Sequence, residues 1–273
     1  MKGLLIYDRV GMERNGWFIN RLIECARNRG CELKLVIHPD STDTDTVSGF
    51  DFAIVRTIDT DLNIRLTSLG IPCFNNAETS RVANDKWQTY LFAKEAGIPV
   101  MDTVRSEEEA AELGFPLVIK TVDGHGGSEV FKADNLQKCK EIFSSMKNKR
   151  LIAQRFCDEP GVDMRVYMLG KEILYTVKRT SLNDFRSNFS LGGKAQTVTP
   201  DKDVTDTAKL IARILGCDLV GIDFIRHGGR WILNEIEDVV GTRMIYANTD
   251  IDAADEYIGY ILDAFKENLC TTN

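Results

Sequence analysis

The sequence predicts an α/β protein in which an N-terminal βαβ unit is followed by α+β units, and three observations carry that prediction. Over about the first seventy-five residues, short apolar runs alternate with amphipathic stretches, the rhythm of strands joined by crossover helices. Beyond residue 76, helix-period and strand-period segments interleave, separated by Gly, Pro, Asn and Asp. Around residues 169–171 and 227–230, glycine-bearing turns stand between apolar runs, as in antiparallel hairpins.

Taken in order, "GLLIY" is the first strand, and a helix follows on the stripe Trp17, Phe18, Leu22, Cys25 and Ala26. "LKLVIH" and "FDFAIV" are the next strands, with the polar, turn-rich "PDSTDTDTVSG" as a loop between them, and the unit ends near "IPCFN". One long helix spans "NAETSRVANDKWQTYLFAKEAG", with Asn76, Thr79 or Ser80 as cap, Gly97 and Pro99 as stop, and Trp87, Tyr90, Leu91 and Ala93 as apolar positions. The strand "VMDTVR" follows, then the helix "SEEEAAELG", acidic at its N-terminus as the helix dipole favours. The strand "PLVIK", a glycine-rich loop, the helix "NLQKCKEIFSSMK" and the strand "RLIAQRF" complete the middle third. From Gly161 come a hairpin turning at 169–171, the polar loop "SLNDFRSNFSLGGKA", the helix "VTDTAKLIARILG", a hairpin turning at "HGGR" and an acidic C-terminal helix.

At 273 residues the chain can bury a large core. Its formal net charge is −7, from 34 basic and 41 acidic side chains, and no Lys or Arg run suits a phosphate backbone, which argues against nucleic acid as the main partner. The seven cysteines are scattered without a CxxC pair, which argues against a disulfide framework or a zinc site and suggests reduced thiols in the cytoplasm. The apolar run before Asp8 is too short for a signal peptide or a membrane span.

The hairpin "LVGIDFIRHGGRWILNEIE" poses a question, because Glu235, Glu237 and Asp238 interrupt a strand of Ile and Val. Residues two apart in a strand share a face, so Glu235 and Glu237 project together. A three-residue loop of Gly228, Gly229 and Arg230 would pair 227 with 231, set Asp223 opposite Glu235, and collect Ile222, Phe224, Ile232 and Ile236 on the other face. A two-residue loop would mix the acids with Ile222 and Phe224, at the cost of burying charge among apolar groups. Three converging carboxylates suit a hard divalent ion, Mg²⁺ or Mn²⁺; a solvated acidic surface fits the same residues.

Lys120 ends the strand "PLVIK", and Gly124, Gly126, Gly127 and Ser128 follow. Small residues let backbone N–H groups approach an anion, and a strand lysine can neutralise phosphate charge; a plain turn is the other reading, and His125 reads as a polar loop residue. Lys86 stands near a helix N-terminus, where the dipole disfavours it unless an anion is close. "GVDMRVYMLG" alternates Val162, Met164, Val166 and Met168 against Asp163, Arg165 and Tyr167, and Lys178, Arg179, Arg186 and Asn188 follow in a stretch too polar for core. Cations facing a carboxylate cluster describe a site for metal-bound polyphosphate.

In this order the motifs resemble the ATP-grasp superfamily, and within it the RimK-like ATP-dependent carboxylate–amine ligases. The resemblance spans nearly the whole chain, is strongest from Asn76 to Gly241, and is most specific at "DFRSNFSLGG" (184–193). It implies an ATP-grasp fold with an N-terminal βαβ pre-ATP-grasp domain over 1–78, a central ATP-grasp subdomain over 79–156 and a C-terminal one over 157–273. By the same resemblance Lys86, Lys120 and the loop Gly126, Gly127 and Ser128 handle the phosphates of ATP, and Gln154, Arg155 and Phe156 form the hinge that contacts adenine. Asp163 would lie on the ribose side, Arg186 and Asn188 near the phosphates, and Asp223 and Glu235 would hold magnesium, joined by Glu237. Where relatives read E-x-N-x-x-P-G this chain reads "EIEDVVG", so Glu237 replaces Asn as a ligand, and Arg243 would compensate the charge or bind a substrate carboxylate.

The implied chemistry passes the γ-phosphate of ATP to a substrate carboxylate, after which an amine attacks the acyl phosphate. Arg165, Arg179 and Arg186 are the candidates to stabilise that intermediate or bind substrate carboxylate. A small molecule or short peptide is the expected substrate, no membrane partner is expected, and a homo-oligomer is left open. The rival is a nucleotide-binding regulator that keeps the fold without turnover; the carboxylates at 223, 235 and 237 and Lys120 favour the enzyme.

Overall fold

The computed structural model describes residues 1–124, 127, 129–181, 185 and 194–271. Its first sheet is wholly parallel, with β1 (Lys2–Asp8), β2 (Glu32–His38), β3 (Phe52–Val55) and β4 (Cys73–Phe74) in the order β2-β1-β3-β4. Leu4, Leu5 and Ile6 are all fully buried because both faces are covered, as a parallel sheet requires. Helix α1 (Arg9–Asn28) covers one face with Phe18, Leu22 and Ala26, and Trp17 of the predicted stripe lies outside, 62% exposed. The stretch read as a loop contains one helical turn, α2 (Thr44–Val47), started by Asp43, whose carboxylate accepts from Thr46 N–H. A helix that periodicity alone did not reveal, α3 (Thr60–Ser68), is capped by Asp59 and buries Leu62 and Leu66, one turn apart, on the opposite face from α1.

The predicted long helix is two helices, α4 (Ala77–Ala83) and α5 (Lys86–Glu95). Asn84 turns its amide back to Ser80 O, and the Asp85 carboxylate accepts from Gln88 N–H, so a second N-cap restarts the helix. The buried stripe of α5 is Lys86, Thr89 and Ala93; Trp87 and Tyr90 are half-buried, their ring centroids 5.2 Å apart, and Leu91 is exposed. Both helices pack through Val82, Ala83 and Ala93 against the third sheet described below.

The second sheet has the order β5-β8-β6-β7, from β5 (Thr103–Val104), β6 (Leu117–Thr121), β7 (Val130–Ala133) and β8 (Leu151–Arg155). Helices α6 (Glu107–Leu113) and α7 (Leu136–Ser145) share its core; α6 opens with a capping box between Ser106 and Glu109. Strand β7 adds to the predicted elements: it pairs Val130 with Lys120, so Gly124 and Gly127 lie in the connection of a hairpin.

The third sheet, β11-β10-β9-β12-β13, is antiparallel and comprises β9 (Val162–Leu169), β10 (Glu172–Thr180), β11 (Lys194–Thr197), β12 (Leu219–His227) and β13 (Arg230–Glu237). Its apolar face, with Met164, Val166, Ile222, Phe224, Leu233 and Ile236, meets Val204, Ala208, Ile211 and Leu215 of α8 (Lys202–Leu215). Each such side chain removed from water contributes about 1.5–3 kcal/mol. The other face carries Asp163, Arg165, Tyr167 and Asp223 and looks toward the first sheet. Between them, α10 (Ala253–Thr271) lays Tyr257, Ile258 and Ile261 into the cluster that holds α1 and Tyr167; α9 (Arg243–Asn248) adds Met244 and Ile245. No helix among the described residues is long and apolar enough to cross a membrane.

The hairpin β12–β13 reaches the predicted pairing by a different route. Its loop has two residues, Gly228 and Gly229, at φ 60° and 73°, and His227 pairs with Arg230. A β-bulge then inserts Asn234, so that Phe224 faces Leu233 while Asp223 faces Glu235. Leu233, not the predicted Ile232, therefore joins Phe224 in the core, while Ile232 pairs with Ile225 on the Asp223 face.

Candidate active site

A cleft of about 570 Å³ runs between the second and third sheets and opens onto the carboxyl ends of β1 and β3. Its lining includes Lys86, Lys120, Gly127, Gln154, Arg155, Phe156, Asp163, Arg165, Arg179, Asp223, Glu235 and Glu237, so three separate stretches of chain meet there. Gly126, Ser128, Arg186 and Asn188 lie outside the described residues.

Lys86 owes its position to the break between α4 and α5, which makes it the first residue of α5, its backbone N–H bonded to Val122 O at 3.0 Å. Its ammonium, 8% exposed, donates to Gly124 O at the β6–β7 tip and pairs with Glu235 at 3.0 Å. Glu235 is thus the anion that a lysine at a helix N-terminus calls for. A Cβ on Gly124 would overlap Thr121 Oγ1, so this backbone path requires glycine. Lys120 reaches Asn234 Oδ1 at 3.0 Å. Burial lowers its ammonium to about 8, Lys86 adds to the effect, and Glu235 opposes it.

On β9, β10 and β12 the charges interlock. Arg165 donates from Nε and Nη2 to the two oxygens of Asp223, at 2.7 and 2.6 Å, and from Nη2 to Glu237 at 2.5 Å. Arg179 grips Asp163 at 2.5 and 2.8 Å and adds a 2.8 Å bond to Asp223. Burial alone would raise the Asp223 carboxyl, but the two guanidinium groups hold it at about 2. Glu237 is raised, first by burial and then by Asp223 and Glu235, against the pull of Arg165. Among the described residues no group of three or more His, Cys, Asp or Glu side chains is placed to hold a metal ion, and Asp163, Asp223, Glu235 and Glu237 each pair with a cation of the chain. The donor set is nevertheless all oxygen and projects from one sheet face, as a hard divalent ion demands.

Near the end of β8, Gln154 is buried with its amide donating to Thr103 Oγ1 at 2.9 Å. Phe156 lies 5.5 Å from the Phe185 ring, with Lys132 over its face at 5.0 Å. Beyond the carboxylates, Asp238 is 3% exposed and accepts from Asn75 at 2.5 Å and from Asn84 at 3.3 Å, and burial raises its carboxyl.

Several lining residues were not found by sequence reasoning. Asn234 enters the cleft beside Glu235 because the bulge aims two consecutive side chains inward. Asp8, Arg14, Arg56 and Thr57 come from the first unit. The available signal for Asp8 and Arg56 was their place at the carboxyl ends of apolar parallel strands, where open α/β sheets bind ligands.

The model of the RimK-like ATP-grasp domain matches residues 83–261. A probable alpha-L-glutamate ligase of Haemophilus influenzae is 30% identical over 207 residues, covering 72% of this chain and 68% of that protein. Among solved structures, a RimK domain ATP-grasp protein from Sphaerobacter thermophilus aligns with a TM-score of 0.72 at 21% identity, over 96% of this chain and 100% of that one. D-alanine–D-alanine ligase from Bacillus anthracis, complexed with ATP, aligns at 0.78 with 14% identity over all of both chains. At these identities the two structures share its fold.

Proposed function

Because the chain belongs to the RimK-like ATP-grasp family, we propose that it is an ADP-forming ligase that joins a carboxylate to an amine through an acyl phosphate. The observation that carries the reading is the meeting of Lys86, Lys120, Asp223, Glu235 and Glu237, from separate elements, in one cleft. ATP would lie between the second and third sheets, its adenine near Gln154, Arg155 and Phe156 and its phosphates near Lys86, Lys120 and Gly127, with Gly126 and Ser128 assigned to the phosphates as part of the same proposal. Arg186, Asn188 and Asp163 belong to the same proposal, toward phosphates and ribose.

Glu235 and Glu237, with Asp223 beside them, would hold Mg²⁺ or Mn²⁺, which neutralises charge on the transferring phosphoryl group. Binding there requires Lys86 and Arg165 to share or release their carboxylates. Arg165 and Arg179 keep Asp223 ionised and aimed; we assign their guanidinium groups to the acyl phosphate as well. Phosphoryl transfer asks the protein mainly for placement and charge, and the cleft walls supply both.

The relative named as a glutamate ligase makes glutamate the first amino acid to try, with small molecules and short peptides as partners. Six described cysteines are free thiols, consistent with work in the cytoplasm. The deciding experiment measures ADP release from the purified protein with paired amino acids and peptides. Substrate-dependent ADP formation that needs a divalent ion is the expected result. ATP binding without turnover on any pair would favour a regulator.

A further inference from the structure

We propose that the crevice where β1 and β3 end is a carboxylate-binding subsite, in which Arg56, flanked by Arg14 and Arg243, receives a substrate carboxylate that is not activated. The proposal rests on the ligase reading and assigns the part of the cleft that reading leaves empty of roles.

Topology supplies the place. In the order β2-β1-β3-β4, the chain leaves β1 to one side and β3 to the other, and α1 and α3 lie on opposite faces. A crevice opens at the carboxyl ends of two such neighbouring strands. Asp8 ends β1, and Arg56 and Thr57 follow β3; Thr57 Oγ1 donates across the gap to Asp8 at 3.1 Å.

Chemistry supplies the ligand. Arg56 is 6% exposed, lines the cleft, and lies over the Phe18 ring at 5.7 Å. One nitrogen donates to Val240 O at 2.6 Å, Nε is buried with no hydrogen-bond partner among the described residues, and the Asp238 carboxylate acts on the group through its charge without a direct ion pair. A buried guanidinium without a direct ion pair is costly, and its planar fork matches the two oxygens of a carboxylate. Arg165, Arg179 and Lys86 contrast with it, since each is already paired with acids of the chain. Arg14, on α1, and Arg243, at the start of α9, are exposed at the same mouth, and neither forms an ion pair with an acid among the described residues. Arg56, Arg14 and Arg243 thus gather three guanidinium groups at this mouth with no direct ion pair among the described residues, beside Asp8 and Asp238. A ligated amino acid or peptide that carries a second carboxylate presents the anion that fits.

The test uses the whole protein saturated with Mg²⁺ and a non-hydrolysable ATP analogue, titrated calorimetrically with L-glutamate, L-glutamine and glutamate α-amide. The wild type is expected to bind glutamate about ten- to a hundredfold tighter than one of the amides, which identifies the carboxylate held. Arg56→Lys, and independently the surface changes Arg14→Met and Arg243→Met, should shrink that ratio while nucleotide affinity stays within about twofold. Equal binding of acid and both amides by the wild type overturns the proposal, and so does an undiminished ratio in all three variants. Failure of the nucleotide to bind would instead remove the ligase reading, and the ratio would still be measured in the nucleotide-free protein.

Discussion

Lys120 should make nucleotide binding take up protons at alkaline pH. Its ammonium is pushed down to about 8 by burial, so in the free protein about half of these side chains are neutral at pH 8 and about nine-tenths at pH 9. A bound triphosphate favours the charged form and carries the pKa back toward its ordinary value. Binding is then linked to uptake of almost no protons at pH 6.5, about half a proton at pH 8 and about nine-tenths at pH 9. The same linkage lowers affinity about tenfold between pH 7 and pH 9. Above pH 8 the nucleotide's own phosphates are fully ionised and add nothing. Calorimetric titration with a non-hydrolysable analogue, repeated in buffers of different ionisation enthalpy, counts the protons. Lys120→Met should abolish the uptake. A proton count that stays flat from pH 6.5 to pH 9, or an equal count in the variant, would refute the reasoning.

Other changes have separable outcomes. Glu235→Ala should stop ADP formation and leave the circular dichroism spectrum unchanged, since Glu235 is the carboxylate paired with Lys86 in the cleft; normal turnover would exclude it from the site. Arg165→Met leaves Asp223, 4% exposed, with Arg179 alone. Urea unfolding should show a loss of about 3–5 kcal/mol, and a loss below about 1 kcal/mol would contradict the buried-pair account. Asp218 is raised to about 7 by burial, with Asp238 adding and the Tyr260 hydroxyl, 2.8 Å away, opposing. Its folded pKa exceeds its unfolded one, so its stabilisation is complete below about pH 4 and is lost as pH rises through about 7. Asp218→Asn should therefore match the wild type at the acid end and exceed it at pH 8 by on the order of 2–4 kcal/mol, a gap that parallel thermal melts would detect.

Much of the fold was legible because periodicity and punctuation agreed. The hydrophobic alternation of β9 sorted Met164 and Val166 from Asp163 and Arg165 before any tertiary information was available. The break between α4 and α5 carried a local signal, since Asp85 with Gln88 three residues on has the pattern of a cap; the apolar stripe read through it concealed it. The facing of Asp223 and Glu235 was legible for a general reason, that charge avoids the apolar face, although the loop chosen to achieve it was wrong. No sequence signal marks the bulge at Asn234. For Arg56 the strand-end position alone was not enough: a single arginine after a strand acquires meaning only when the sheet order puts that strand end beside β1.

The bulge also gives the hairpin one residue of slack between its tip and the cleft. Because Asn234 resets the count, Glu235 faces Asp223 although the turn holds two glycines. Deleting Asn234 alone would keep Phe224 opposite Leu233 and leave Glu235 opposite Asp223 on an unbroken ladder, with Lys120 deprived of its amide partner. The carboxylates would thus meet without the extra residue, and what the bulge adds to the cleft is the amide that Lys120 holds.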